Sequence, residues 1–222
     1  MAVTNASEAT YKGCRDAILR CYPESAVLSY YSVKKLVSDI SGVVSVSDDM
    51  CINSCHAFTG PFANLDSCSI CGEPQYDPHQ LLLRKNVPCQ KQCTILLGPQ
   101  LQARRRSEKG SSDMLYLGQK MHEVLQILDS LPDSMDFEYN DSLCGSKFIA
   151  MNETINLTVN DTIVALSLDG TQLYQNKKSD TWIAIWMIHN LCPDQRYKKL
   201  CVLPCTTMPG PNKPKIIDSY LF

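Results

Sequence analysis

Four of the twelve cysteines in this 222-residue chain fall as Cys51-x3-Cys55-x12-Cys68-x2-Cys71. Two close pairs separated by about a dozen residues suit a tetrahedral four-thiolate zinc site. Each pair wraps a tight turn around one edge of the tetrahedron, at sulfur–zinc distances of about 2.3 Å. Gly72 follows the second pair, where a knuckle needs a residue that accepts positive φ. Residues 51 to 78 are rich in Cys, Gly, Pro and Asn. Such a segment cannot build its own apolar core, and a metal would stand in for it. The x3 spacing is the less usual of the two. His56 is left outside the ligand set, because adjacent ligands strain a knuckle.

The other eight cysteines form no comparable set. Cys89-x3-Cys93 and Cys201-x3-Cys205 are single pairs, and Cys14, Cys21, Cys144 and Cys192 read as buried apolar thiols. A thiol nucleophile needs a base, and His79, His122 and His189 sit in no recognisable context for one. The chain has no Walker loop, G-x-G-x-x-G, G-x-S-x-G or H-E-x-x-H. One carboxylate stands out. Asp169 follows a buried-type strand and precedes Gly170, so it is either a hairpin turn residue or a divalent-metal ligand at a strand end. Asp161, Asp180 and Asp218 are more weakly placed.

Composition narrows the classes. Lys plus Arg number 21 against 23 Asp plus Glu, a net charge of −2, which argues against a whole-protein basic surface. A local run, Arg104-Arg105-Arg106 with Lys109, and the pair Lys213 and Lys215 remain as either solvated charges or phosphate contacts. The opening stretch has neither a basic start nor an apolar run, so an intracellular chain with thiols rather than disulfides is expected. On that expectation the Asn-x-Thr or Asn-x-Ser triplets at Asn5, Asn140, Asn152, Asn156 and Asn160 are chance matches. The longest apolar run, Trp182 to Ile188, is far shorter than the roughly 20 residues needed to span a bilayer, so no membrane partner is expected.

The elements that must carry these residues follow from periodicity. Tyr11, Cys14, Ile18 and Cys21 share a helical face behind Ser7 as cap. Val33, Leu36, Val37 and Ile40 share another, stopped by Gly42. Residues 79 to 110 read as extended and irregular. Met114, Leu117, Met121, Val124, Leu125, Leu128 and Leu131 form the strongest amphipathic stripe, ending at Pro132 before an acidic loop, Asp133 to Asp141. Apolar and β-branched runs at 162–168, 181–188 and around 200–203 read as strands. The expected class is α+β: N-terminal helices (1–49), a small zinc-ribbon-like module (50–78), a linker with a long helix (79–160) and an incomplete sheet (161–222). Trp182, Ile183, Ile185 and Trp186 on a partly covered sheet would favour self-association.

Several long motifs point the same way. They are Met50-Cys51-Ile52-Asn53-Ser54-Cys55, Phe58 to Phe62, Asn64-Leu-Asp66 and Cys68-Ser-Ile-Cys-Gly-Glu-Pro74 with Tyr76. Beyond them come Gly98 to Ala103, Leu166-Ser-Leu-Asp-Gly-Thr-Gln-Leu-Tyr174, Lys178 to Trp182, Arg196-Tyr-Lys-Lys199 and Pro209-Gly-Pro-Asn-Lys-Pro-Lys215. Together these closely resemble CACTA-type (En/Spm-like) cut-and-paste DNA transposases, in particular copies abundant in mushroom-forming fungi, over nearly the whole chain.

The resemblance implies an RNase H-like DDE catalytic domain with strands at 162–168, 181–188 and 199–207. Asp169 would be its first magnesium-binding acid. It also implies transposon-end DNA as partner, with Arg104, Arg105, Arg106, Lys213 and Lys215 as contacts, and a nuclear location. Two departures accompany it. The family's second aspartate and final acidic residue would lie beyond Phe222, so Mg²⁺ chemistry is expected only in a complete catalytic domain and this chain reads as an inactive fragment. Cys89 and Cys93 also stand where such copies usually carry basic or aromatic residues. The alternative is a non-enzymatic zinc-dependent module that binds DNA or protein, derived from a transposon.

Overall fold

The structure is a computed structural model, and it describes residues 7–130, 138–155, 157–172 and 180–221. Two compact units divide the chain, Met1–Val44 and Ser45–Phe222. In the first, α1 (Glu8–Cys21) starts at Ser7, whose hydroxyl accepts from the Thr10 N–H, and α2 (Tyr30–Ser41) starts at Ser29 in the same way and stops at Gly42. Tyr11 donates to the Leu28 carbonyl at 2.9 Å and Arg15 to the Val27 carbonyl at 3.3 Å, closing the hairpin. No residue of either helix is buried. Cys14 and Cys21, expected as buried thiols, are exposed. The described residues of this unit form two helices, too few by themselves to bury an apolar stripe on both.

The second unit is built on a five-stranded antiparallel sheet, which with its helices makes the class α+β. Its strands are β1 (Ser45–Met50), β2 (Gln90–Ile95), β3 (Val164–Thr171), β4 (Thr181–Ile188) and β5 (Leu203–Pro209), in the spatial order β1-β2-β5-β4-β3. The strands expected at 162–168 and 181–188 are present as β3 and β4, whereas the third, expected around 200–203, begins only at Leu203, after a turn, as β5. Two more, β1 and β2, come from polar sequence on either side of the cysteine segment. The β5 register shifts against β4 between Ala184 and Ile185, where Thr206 and then Pro204 are the partners. Pro204 has no N–H to give to the ladder, and Cys205 is the extra residue of the bulge.

Alternation along the strands gives the sheet two unlike faces. The row Val46, Thr94, Thr206, Ala184 and Leu168 faces the covered side, and there Thr94, Thr206 and Ala184 are buried. The neighbouring row, Ser47, Cys93, Thr207, Ile183 and Asp169, points the other way. All of it is exposed except the half-buried Ile183.

The covering layer has two parts. The segment expected to be irregular instead forms α3 (Pro78–Leu82), β2, α4 (Leu97–Arg105) and α5 (Glu108–Asp113). The amphipathic stripe becomes Met114 and then α6 (Tyr116–Ser130). Met114 packs with Ile188 and Leu191, while Leu117 and Met121 pack with Leu143, Phe148 and Ile163 near α7 (Ser146–Ile155). Leu128, late in that stripe, is exposed, and Leu131 lies outside the described residues. At the other end of β4, Met50, Ala57, Met208 and Tyr220 form a separate cluster with Leu168 and Trp182 against it.

A buried ion pair fastens the loop ahead of α7 to the turn after β4. Arg196, in the short helix α8 (Pro193–Arg196), is 1% exposed. Its guanidinium holds Asp141 at 2.9 and 3.1 Å and the Leu191 and His189 carbonyls at 3.0 and 3.2 Å. Tyr116 donates to the same carboxylate at 2.7 Å. Among the described residues no helix is long and apolar enough to cross a membrane.

Candidate metal centre

Two tight hairpins bring the four cysteines together. The first knuckle opens where β1 ends, with Met50 bridged to Ala57, Cys51 N–H on the His56 carbonyl at 3.0 Å and Ser54 N–H on the Cys51 carbonyl at 2.9 Å. Its extra residue is accommodated by Ser54 at φ 57°, an uncommon conformation for a residue with a side chain. The second knuckle repeats the pattern, with Ser67 bridged to Pro74, Cys68 N–H on the Glu73 carbonyl at 2.8 Å and Gly72 N–H on the Cys68 carbonyl at 2.9 Å. Gly72 takes φ 77°, as its position after the Cys pair requires.

The four sulfurs of Cys51, Cys55, Cys68 and Cys71 all lie within 4.8 Å of one another, with Cys51 and Cys71 at 3.5 Å. A tetrahedron with sulfur–metal distances of about 2.3 Å has edges of about 3.8 Å, so the set fits a four-thiolate ion. Cys51 and Cys55 are fully buried, Cys68 nearly so, and Cys71 reaches the surface. Burial pushes the Cys51 thiol far above its usual range and raises Cys55 as well. At Cys71 burial is outweighed by the Glu73 N–H, the Asn53 amide and the neighbouring thiols, which bring it down to about 7. Cys51 and Cys55, buried beside their neighbours, resist becoming thiolates until a cation neutralises them.

His56 is a strut and not a ligand. It is fully buried, its Nδ1 hydrogen-bonds the Ala57 carbonyl at 2.9 Å, and the Ser69 N–H donates to its Nε2 at 3.2 Å, tying one knuckle to the other. Its ring stacks on Phe62 at 4.4 Å between centroids.

A second brace comes from far along the chain. The Lys215 and Ile216 N–H groups donate to the Cys55 carbonyl at 3.2 and 3.0 Å, and the Ala57 N–H donates to Ser219 Oγ at 2.9 Å. Thr59 bonds the Ser219 carbonyl, and Asn212 donates to the Asn53 carbonyl at 3.4 Å. Gly210 lies so close to the Ser54 side chain that a Cβ there would overlap it. Tyr220 is fully buried under this knuckle with its hydroxyl unpartnered. Its hydroxyl is held far above its usual range, by burial first and then by the charges of Cys51, Cys55 and Cys68. Neither the His56 bridge nor the 210–220 brace is legible in the sequence, since each joins side chains to backbone groups that carry no residue signature.

The remaining candidates fall elsewhere. Asp169 lies inside β3, paired with Ile183, and Gly170 pairs with Trp182, so Asp-Gly is not a turn. The carboxylate is exposed and, among the described residues, accepts its neighbour's N–H at 2.8 Å. Among the described residues it joins no cluster of three or more His, Cys, Asp or Glu.

The arginine run is largely engaged within the protein. Arg104 reaches Cys201 Sγ at 3.7 Å, and Arg105 holds the Asn160 carbonyl and Thr162 hydroxyl at 3.0 and 2.8 Å. Arg106 bonds Gln102 at 3.4 Å, and Lys109 pairs with Asp113 at 3.2 Å. Lys213 sits over the Trp182 ring at 5.5 Å, and Lys215 is exposed beside the first knuckle. These two groups lie at opposite ends of β4 and form no single basic surface. Of the other cysteines, Cys144 and Cys205 are buried and Cys93 is exposed.

No known protein family, curated protein or solved structure matches this chain. The cysteine cluster is therefore the feature on which a functional reading rests.

Proposed function

We propose that the chain is a zinc-stabilised relative of CACTA-type transposases, with a structural Zn²⁺ held by Cys51, Cys55, Cys68 and Cys71, and that it handles transposon-end DNA without cutting it on its own. The observation that carries the proposal is the set of four converging sulfurs, three of them buried. All four positions are taken by thiolates, so no open site remains for a water or substrate, which marks a structural ion rather than a catalytic one. The consecutive antiparallel strands β3, β4 and β5, with Asp169 on an exposed face, support the DDE-type reading. Two magnesium ions bring four positive charges, and Asp169 has no clustered carboxylate among the described residues to share them. That isolation equally favours the second reading, a non-enzymatic zinc-dependent module that binds DNA or protein.

Metal analysis of protein made in zinc-supplemented medium tests the centre. About one zinc per chain is expected, lost in Cys68→Ser with Cys71→Ser, and less than about 0.2 equivalents in folded protein would sink it. A supercoiled-plasmid assay with Mg²⁺ or Mn²⁺ tests the chemistry. No strand cleavage is expected, and metal-dependent cutting that disappears in Asp169→Ala would overturn the claim of inactivity. A salt-dependent gel-shift series, which a DNA-handling chain should pass at low salt, separates DNA from protein as the partner.

A further inference from the structure

We infer that Asn53 is the positioning residue of the metal centre, the one non-ligand side chain among the described residues that bonds a sulfur of the opposite knuckle, and that it sets how tightly the ion is held; this rests on the zinc reading above. Atoms of Asn53 reach three of the four sulfurs. Its backbone N–H donates to Cys51 Sγ at 3.4 Å, its side-chain Nδ2 donates to Cys71 Sγ at 3.7 Å, and its carbonyl lies 4.0 Å from Cys55 Sγ. The fourth, Cys68, takes the Ile70 N–H at 3.5 Å.

The two backbone donors are equivalent, each coming two residues after the first cysteine of its pair. The side-chain bond has no counterpart in the second knuckle. Four thiolates around a divalent ion carry a net charge of −2, and N–H donors aimed at sulfur spread that charge. Cys71 is the exposed corner of the cluster, where water and electrophiles arrive, and it is the sulfur that the Asn53 amide covers. The Asn212 amide of the 210–220 brace bonds the Asn53 main-chain carbonyl and leaves the side-chain amide on Cys71 as a separate contact.

The test uses the whole chain with Zn²⁺ competed against a chromophoric chelator, and with Co²⁺ as a spectroscopic probe. Asn53→Ala should weaken Zn²⁺ about 10-fold or more, the usual effect of losing an outer-shell partner. It should also move the sulfur-to-cobalt charge-transfer band to lower energy, because a thiolate stripped of a donor gives up electron density more readily. Asn53→Asp keeps the size, removes the donor and adds a like charge, so its loss should be larger. Asn212→Ala disturbs the brace without removing a donor to sulfur, and its band should stay in place. The inference is overturned if Asn53→Ala binds Zn²⁺ within about twofold of wild type with an unmoved band, or if Asn212→Ala reproduces both effects. Failure of the underlying reading looks different: wild type would then take up neither ion, and the inference would fall with it.

Discussion

Replacing Asp141 by Asn removes one charge from the most buried ion pair among the described residues and should cost far more than a surface substitution. The two side chains are 1% and 2% exposed, so solvent screens the pair little. Burial alone would raise the Asp141 carboxyl, but Arg196, Tyr116, the Leu143 N–H and Ser142 outweigh it and bring it from 3.8 down to about 2. A depressed carboxylate contributes stability that is fully present above its unfolded value and lost as pH falls through the folded one. Here that window runs from about pH 5 down to about pH 2. The drop corresponds to about 2 kcal/mol at roughly 1.4 kcal/mol per pH unit. Asp141→Asn should lose more, about 3–5 kcal/mol at pH 7, because it also leaves the Arg196 guanidinium buried without its counter-charge. Urea unfolding of wild type, Asp141→Asn, Arg196→Met and the double variant measures this directly. The double variant should be less damaged than the sum of the singles. Acid also strips metal from thiolates in every variant, so only the difference between wild type and Asp141→Asn on acidification is informative. A single-variant loss below about 1 kcal/mol at pH 7, or an unchanged acid dependence in Asp141→Asn, would refute the reasoning.

Gly210→Ala should lower Tm by several degrees, since its Cβ overlaps the Ser54 side chain and overpacking costs about 1–3 kcal/mol; Ser54→Gly in the same chain should restore part of the loss, and an unchanged Tm would rule out the close approach. His56→Phe keeps a ring for Phe62 but strands the Ser69 N–H and the Ala57 carbonyl, at about 1–3 kcal/mol for each group; urea unfolding indistinguishable from wild type would remove its role as a strut. Alkylation of the native metal-loaded chain, read by mass spectrometry, should reach Cys14, Cys21 and Cys93 first, and Cys144 and Cys205 only after unfolding; early labelling of Cys205 would contradict its burial within the β5 bulge.

Local signals were legible in the sequence, and long-range ones were not. Ser7 and Gly42 marked helix ends because caps act within a turn, and the Cys pairs marked a metal set because knuckle spacing is local. Apolar content announces strands at 162–168 and 181–188, which form at Val164–Thr171 and Thr181–Ile188. In contrast, Ser45-Val-Ser-Asp-Asp-Met50 is an edge strand with one exposed side and little apolar content, so nothing in it reads as a strand. Asp141 looked like part of a solvated acidic loop because its partner, Arg196, lies 55 residues away. His56 stands next to a cysteine and so reads as no ligand, while its hydrogen bond to the Ser69 backbone depends on the second knuckle being folded beside it. The arginine run illustrates the same limit. Arg104 and Arg105 read as surface charge until Cys201 and Thr162 are brought against them.

The brace over the first knuckle has a bearing on the order in which this chain can fold. Ala57 and the Ser219 hydroxyl that caps it are 162 residues apart, and Thr59 and the Ser219 carbonyl 160. During synthesis the cysteine hairpins emerge well before that brace exists, so an early-bound ion would sit in a half-built cage with the Cys55 carbonyl bare to solvent. Contacts of such sequence separation form late and slow the final step. An ion captured early would preorganise the knuckle for the arriving segment, and the closing of that segment would in turn lock the ion in place, so the centre should exchange its metal far faster on nascent chains than in the finished protein.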